Sequence, residues 1–163
     1  MLIVETDRLQ LVALTLDDVR AMLAGDRAGR AWGDDYPTEG DLELATAMIE
    51  RGDPAAAVDA LWGPCQVRLR ASGLAIGGVG FKGRPNQHGE VEIGYGFAES
   101  MRGRGYATEA AAALIGVGRR AGLTAVIAET HPANRASQRV LERLGFVTTH
   151  RIDDWIWWRR PLP

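Results

Sequence analysis

The stretch from Arg102 to Ala110, RGRGYATEA, decides how the rest of the chain is read. Gly103 and Gly105 alternate with arginines and lead straight into an alanine-rich run, ATEAAAALIGVGRRAG. Lacking side chains, these glycines let backbone N–H groups come close to something bulky. A helix that starts here leaves its first N–H groups without intrahelical partners and aims the positive end of its dipole at the same point. The arginines add charge, so the expected partner is an anion. The dipole contributes only about 0.3–1 kcal/mol for an exposed anion, whereas each N–H bond to a charged oxygen adds about 1.5–3 kcal/mol. Several convergent bonds therefore favour a pyrophosphate over a lone carboxylate. The alternative is a plain glycine turn with solvated arginines.

The remaining composition is that of an ordinary globular protein. The chain has 163 residues, 46% apolar and 25% charged, which fits one domain spanning 1–163. A net charge of −2 gives no overall attraction to nucleic acid, so none is expected as a partner. The single cysteine, Cys65, excludes an internal disulfide and reads as a buried residue of WGPCQVRL. His88, His131 and His150 show no ligand spacing, so no metal is expected. The opening MLIVETDRLQLV carries Glu5 and Asp7 at once, unlike a signal peptide, and no apolar run approaches the ~18 residues of a membrane span. No membrane partner and a cytoplasmic location are the expectation.

Periodicity and punctuation predict the elements. RLQLVAL (Arg8 to Leu14) alternates as a strand. TLDDVRAMLAG offers Thr15 as N-cap, Asp17 and Asp18 in the first turn, and Gly25 as the stop of a helix. GDLELATAMIERGDP places Leu42, Ala45, Met48 and Ile49 on one face of a second helix, ending at Gly52 and Pro54. Between them lies the polar loop RAWGDDYPTEG. PCQVRLRASGLAIGGVGFKG reads as two strands joined around Ser72 and Gly73, and EVEIGYGFAES (Glu90 to Ser100) as a third. The alanine-rich helix runs to about Ala121 with Gly122 as terminator. LTAVIAETH is a buried strand; NRASQRVLERLG is a helix with Ala136, Val140, Leu141 and Leu144 on its inner face; FVTTHRI and DWIWWRRP close the chain as strands. The expected order is β-α-α-β-β-β-α-β-α-β-β, an α/β (α+β) mixed sheet of about seven strands, mostly antiparallel, with about four helices packed on it.

A second glycine motif competes with the first. Gly78-Val-Gly80-Phe-Lys-Gly83 matches the dinucleotide pattern G-x-G-x-x-G, and on its own would suggest a nucleotide-dependent oxidoreductase. That pattern needs a helix directly after it, and RPNQHGE cannot start one. A strand and turn is the better description.

RGRGYATEA after a strand, then a buried strand and N-x-A-S-x-x-V-L-E-x-L-G-F, together resemble the GNAT superfamily of acyl-CoA-dependent N-acetyltransferases, closely from Glu90 to Phe146. The opening ETDRLQLVALTLDD looks like the branch that contains the ribosomal-protein N-terminal-alanine acetyltransferases. The resemblance implies the GNAT fold and makes the anion the pyrophosphate of coenzyme A. Backbone N–H groups of Arg102, Gly103, Arg104, Gly105, Tyr106 and Ala107 would cradle it. The strand before the cradle would splay from its neighbour and bind the pantetheine arm through Tyr95, Phe97 and Ala98. Asn134 would hold that arm by its amide, beside an N-cap role. Arg135 and Arg139 read as solvated charges within reach of the 3′-phosphate.

By the same resemblance, the chemistry is acetyl transfer from acetyl-CoA to a primary amine of a protein N-terminus or a small molecule, directly in a ternary complex. An alkyl ammonium with pKa ~10.4 must first lose a proton. Glu92 is the candidate base, similar to the acidic residue often found on this strand in the family, with Glu90 on the same strand face in reserve. A backbone N–H near Phe97 would meet the developing oxyanion. Many relatives use a tyrosine on the last helix as the acid; here that register holds Leu141, and Ser137, one turn earlier on the same face, is the substitute. A CoA-binding regulatory domain without turnover is the alternative the missing tyrosine keeps open.

Asp34, Asp35, Glu39 and Asp41 make the first interhelical loop acidic, a lure for a cationic amine or a merely solvated loop. Trp155 and Trp157 are expected on one strand face and Ile156 and Trp158 on the other, with at least one tryptophan in the core. The chain is expected as a monomer or homodimer.

Overall fold

A computed structural model describes residues 2–51 and 61–163. Gly52 and Pro54, the expected end of the second helix, lie outside the described residues. The elements are β1 (Ile3–Glu5), β2 (Leu9–Ala13), α1 (Leu16–Ala24), α2 (Glu39–Glu50), β3 (Pro64–Leu69), β4 (Ala75–Phe81), β5 (Glu90–Phe97), α3 (Tyr106–Arg120), β6 (Ala125–Thr130), α4 (Arg135–Arg143), β7 (Val147–Ile152) and β8 (Trp155–Pro161), with a short 3-10 turn at Glu99–Met101. The strands form one eight-stranded sheet in the order β1-β2-β3-β4-β5-β6-β8-β7. Only β5 and β6 run parallel among these neighbours. The sheet has one strand more than the sequence predicts. The chain reverses at Thr6, whose N–H donates to Leu9 O at 2.9 Å, so β1 folds back on β2 as a hairpin rather than joining it.

Local capping chemistry sets the helices. Thr15 and Asp18 form a reciprocal capping box on α1, and Gly25 ends it in the left-handed region with φ 64°. Thr38 and Asp41 repeat the device on α2. The predicted apolar face of α2 holds only in part: Ala45 and Met48 are buried, but Leu42 and Ile49 are exposed.

The helices divide between the sheet faces. On one face, α3 and α4 cover Leu9, Leu11, Val67, Ile76, Val91 and Ile93, a core completed by Leu114 and Leu141. Each fully buried aliphatic side chain contributes about 1.5–3 kcal/mol. The other face carries α1 and α2, with Trp32 and Tyr36 of the loop buried against Ala75, so this loop is not the solvated segment its polarity suggests. Ile156 and Trp158 enter the core and Trp155 stays exposed, as alternation along β8 requires.

The glycines of β4 decide how closely the strands pack. A Cβ on Gly77 would lie 2.5 Å from Gly96 O and 2.7 Å from Phe97 Cδ1. Both obstacles belong to the paired strand, which cannot retreat without breaking its ladder. Gly77→Ala is expected to lower unfolding free energy by about 1–3 kcal/mol, seen as an earlier denaturant midpoint. An unchanged midpoint would show that the strand yields easily.

Candidate functional site

The sheet opens at its parallel pair. β5 and β6 pair at Glu90↔Ala125, Val91↔Val126 and Glu92↔Ile127, and then part. Beyond that point the backbone of β5 alternates. Glu92 O accepts from Lys82 N and Ala98 N donates to Ile76 O, so even-numbered residues face β4. Ile93, Tyr95 and Phe97 therefore turn their backbone groups towards the gap. Ala98 does not belong with them: its N–H is bound to Ile76 O and its carbonyl accepts from Met101 N, both at 2.9 Å. The sequence-based assignment of Ala98 as a pantetheine contact is corrected on that ground.

At the far end of the gap, α3 begins. Gly103 and Gly105 take φ 73° and 80°, a region that favours glycine. Gly105 is the N-cap, so no side chain caps the first turn. Thr108 Oγ1, in that turn, is buried and has no hydrogen-bond partner among the described residues. The turn thus ends in an uncapped helix start, whose open amides fit phosphate oxygens. The arginine side chains do something else. Arg102 Nε donates to Phe97 O at 3.1 Å and Arg104 Nη2 to Ser100 O at 3.4 Å, ordering the turn on itself.

A clamp that no local signal announces holds this turn. Glu109 Oε1 accepts from Thr6 Oγ1 at 2.6 Å and Arg8 N at 3.0 Å, and its Oε2 pairs with the Arg8 guanidinium at 2.6 Å. Arg8 Nη1 donates to Arg104 O at 2.9 Å, and the guanidinium lies 4.6 Å from the Tyr106 ring centroid. The partners stand 101 residues apart, so only folding joins the ETDRL opening to YATEA. Burial pushes the Glu109 carboxyl up, but Thr6 and Arg8 outweigh it and hold it below the usual carboxylate range. The clamp's contribution is therefore complete above that range and fades as pH falls through the lowered value. Arg8→Ala is expected to weaken coenzyme A binding about tenfold by freeing the Arg104 carbonyl, measured by calorimetry; undiminished affinity would make the clamp irrelevant to the cradle. Asp35 adds a second brace, accepting from Ser100 N at 2.9 Å and Ser100 Oγ at 2.6 Å. These bonds hold the Asp35 carboxyl below its ordinary range. Asp35 is a brace, not a lure for cations.

A cleft of about 1000 Å³ crosses the sheet at the gap. Its floor is bare backbone, because Gly78 pairs with Gly96 and Gly80 with Gly94. A Cβ on Gly78 would come within 2.9 Å of Asp41 Oδ1, so glycine lets α2 sit close over the floor. This is the use of the G-x-G-x-x-G pattern, which lies in an antiparallel strand with no helix after it. One end of the cleft is lined by Tyr36, Asp41, Met48 and Trp62, the other by Tyr95, Asn134, Ser137 and Leu141. Charges of both signs border it, Asp41, Glu43 and Glu129 beside Arg51, Lys82 and Arg84. Of the four acids named for the loop, Asp41 alone borders the cleft, and the basic residues around it offset its charge.

Glu92 sits one contact behind the cleft wall, paired with Lys82, which also reaches Glu129 at 3.2 Å. Burial opposes the Lys82 charge, but Glu92 and Glu129 more than offset it and hold its pKa above the ordinary lysine value. The reserve candidate Glu90 is committed elsewhere, with Arg159 Nη2 at 2.9 Å holding its carboxyl below the usual range. Asn134 caps α4, its Oδ1 accepting from Ser137 N at 3.1 Å, which leaves its amide nitrogen for another partner. Ser137 Oγ lies 2.9 Å from Tyr95 Oη. Ala136, expected on the inner face of α4, is exposed, while Gln138 is buried and donates to His131 O and Pro132 O. Lys82, Glu129, the Glu109 clamp and the Tyr95 side chain are the members of the site that residue patterns did not single out.

Comparison with known proteins agrees with this geometry. A family model described as acetyltransferase (GNAT) domain matches residues 8–147. The Bacillus subtilis (strain 168) protein named "Uncharacterized N-acetyltransferase YoaA" is 31% identical over 157 residues, covering 88% of this chain and 82% of its own. Its relative "Uncharacterized N-acetyltransferase YjdG", from the same organism, is 37% identical over 84 residues, and that match spans 51% of this chain and half the length (50%) of that protein. The solved structure of Mycobacterium smegmatis RimJ in complex with CoA-disulfide superposes with a TM-score of 0.67 at 21% identity, over 94% of this chain and 81% of that one. At that identity the likeness concerns the fold.

Proposed function

The chain belongs to the GNAT acetyltransferase family, and from that premise we propose that it is an acetyl-CoA-dependent N-acetyltransferase acting on a primary amine, a peptide N-terminus or a small molecule, in the cytoplasm. The observation that carries this reading is the parting of β5 from β6 after Glu92, with an uncapped helix start at the end of the gap. Acetyl-CoA supplies the activated acetyl group and the thiol that leaves.

The chain's own residues do the rest. Backbone amides from Gly103 to Ala107 grip the diphosphate; the Arg102 N–H, expected among them, is spent on Glu99 O at 3.2 Å. Tyr95 and Phe97 hold the pantetheine arm along β5, and the Asn134 amide nitrogen meets it from α4. The gap-facing N–H groups of β5 nearer Glu92, at Ile93 and Tyr95, stabilise negative charge on the thioester oxygen. Glu92 takes the acceptor's proton. Because Lys82 is bound at Glu92 Oε1, the proton arrives through water at the other carboxylate oxygen. The Lys82 hydrogen bond survives, while the charge pair is lost until the proton moves on. Ser137 hydrogen-bonds the departing sulfur. Positioning both reactants in the cleft supplies the larger share, ~7–11 kcal/mol against the ~10²–10⁴-fold of acid–base help.

The test is thiol release from acetyl-CoA with a panel of amines and N-terminal peptides. Release above blank supports the enzyme. Binding of coenzyme A with no release from any member supports a regulatory domain instead.

A further inference from the structure

The register of α4 puts Leu141, fully buried, where the family resemblance calls for a tyrosine. A phenol nevertheless reaches the same end of the cleft from the opposite wall. Tyr95, on the half of β5 that has parted from β6, extends to α4 and places its Oη 2.9 Å from Ser137 Oγ and 3.2 Å from Ser137 O. A serine hydroxyl alone is a poor acid, because losing its hydrogen leaves an alkoxide that nothing neutralises. We propose that Tyr95 is the positioning residue and proton source that makes Ser137 an acid, an inference that rests on the acetyl-transfer reading of this cleft.

The two distances define two hydrogen arrangements. When the phenol donates to Ser137 O, the serine hydroxyl donates back to Tyr95 Oη and offers nothing to the cleft. When the phenol turns to Ser137 Oγ, the serine hydrogen is freed towards the sulfur. As the C–S bond breaks, its electron pair goes to sulfur, which takes the Ser137 hydrogen while Ser137 Oγ takes the phenol hydrogen. One S–H bond forms, and the phenolate left behind regains a proton relayed through water from Glu92, which holds the one released by the amine. Burial pushes the Tyr95 phenol up, tempered by the Ser137 bond, so it enters each cycle protonated. Tyr95 is also one of the three β5 residues whose backbone groups face the gap. Strand parting, pantetheine contact and proton supply thus meet in one residue.

Steady-state kinetics on Y95F, S137A, S137T and the Y95F/S137A double variant test this, with coenzyme A affinity measured by calorimetry on each. Y95F is expected to lower kcat about 10²-fold with the acetyl-CoA KM within twofold, since only the phenol oxygen is removed. S137A should fall at least as far, S137T should restore most of that loss, and the double variant should be no slower than S137A, because the pair acts as one unit. Y95F with kcat within threefold of wild type overturns the inference, as does a double variant whose losses multiply or a Y95F whose KM rises as kcat falls. A wild-type chain that binds coenzyme A but releases no thiol with any amine overturns the acetyl-transfer reading and this inference together. An active wild type beside an undiminished Y95F overturns this inference alone.

Discussion

Gly105→Glu is expected to lower coenzyme A affinity by about 10²–10⁴-fold while the far-ultraviolet circular dichroism spectrum stays that of the parent. The reasoning is additive. Gly105 is the N-cap of α3 at φ 80°, and its missing side chain leaves the first-turn amides open. A glutamate there puts a carboxylate at the point the amides face. Losing two charge-assisted N–H bonds costs about 3–6 kcal/mol, and each 1.4 kcal/mol is tenfold. Gly105→Ala separates this from backbone strain alone. The left-handed conformation costs a non-glycine residue about 1–2 kcal/mol, and the added methyl meets only Arg8 Nη2, at 3.4 Å. Alanine should therefore bind coenzyme A more tightly than glutamate by at least tenfold. Equal affinity of the glutamate variant and the parent would mean that the diphosphate sits elsewhere.

The second large effect concerns the base. Glu92→Gln is expected to reduce kcat by about 10²–10⁴-fold with coenzyme A affinity unchanged, a cost of about 3–5 kcal/mol at the transition state. The side chain lies across the β5 pleat from Ile93 and Tyr95, with its carboxylate on Lys82 and no part in the cradle. Glutamine keeps the shape and the hydrogen bond but cannot take a proton. Single-turnover kinetics against pH with a fixed amine provide the measurement. If kcat stays within threefold, Glu129→Gln becomes the decisive variant, since Lys82 joins both carboxylates and Glu129 borders the cleft.

Several parts of the site were readable because their physics is local. Thr15 and Gly25 bound α1 as predicted because capping involves groups within one turn. RGRGYATEA announced the glycine turn and the helix after it for the same reason: positive φ at Gly103 and Gly105 and the open helix start are properties of consecutive residues. Alternation along EVEIGYGF placed Val91 and Ile93 in the core and Glu92 on the opposite face. Misjudgements occurred where a distant partner decides. Ala98 looked like its neighbour Phe97 until Ile76 claimed its amide. Asp35 looked like a solvated acid until Ser100 came to it. Ala136 belonged to an apolar stripe on paper, yet α4 turns Ser137 and Gln138 inwards because a phenol and two carbonyls await them there.

From its residues alone the chain dictates the order of its helices and of every strand but β1, the glycine-bounded start of α3 and membership of the acetyltransferase family, since each depends on spacings of a few residues. Tertiary structure alone determines where β5 leaves β6, that Glu109 clamps Arg8 across 101 residues, that Lys82 joins Glu92 to Glu129, and that Tyr95 reaches Ser137. Those are contacts between side chains remote in sequence. A short-range pattern carries no record of which distant groups the packed sheet will bring within 3 Å of each other.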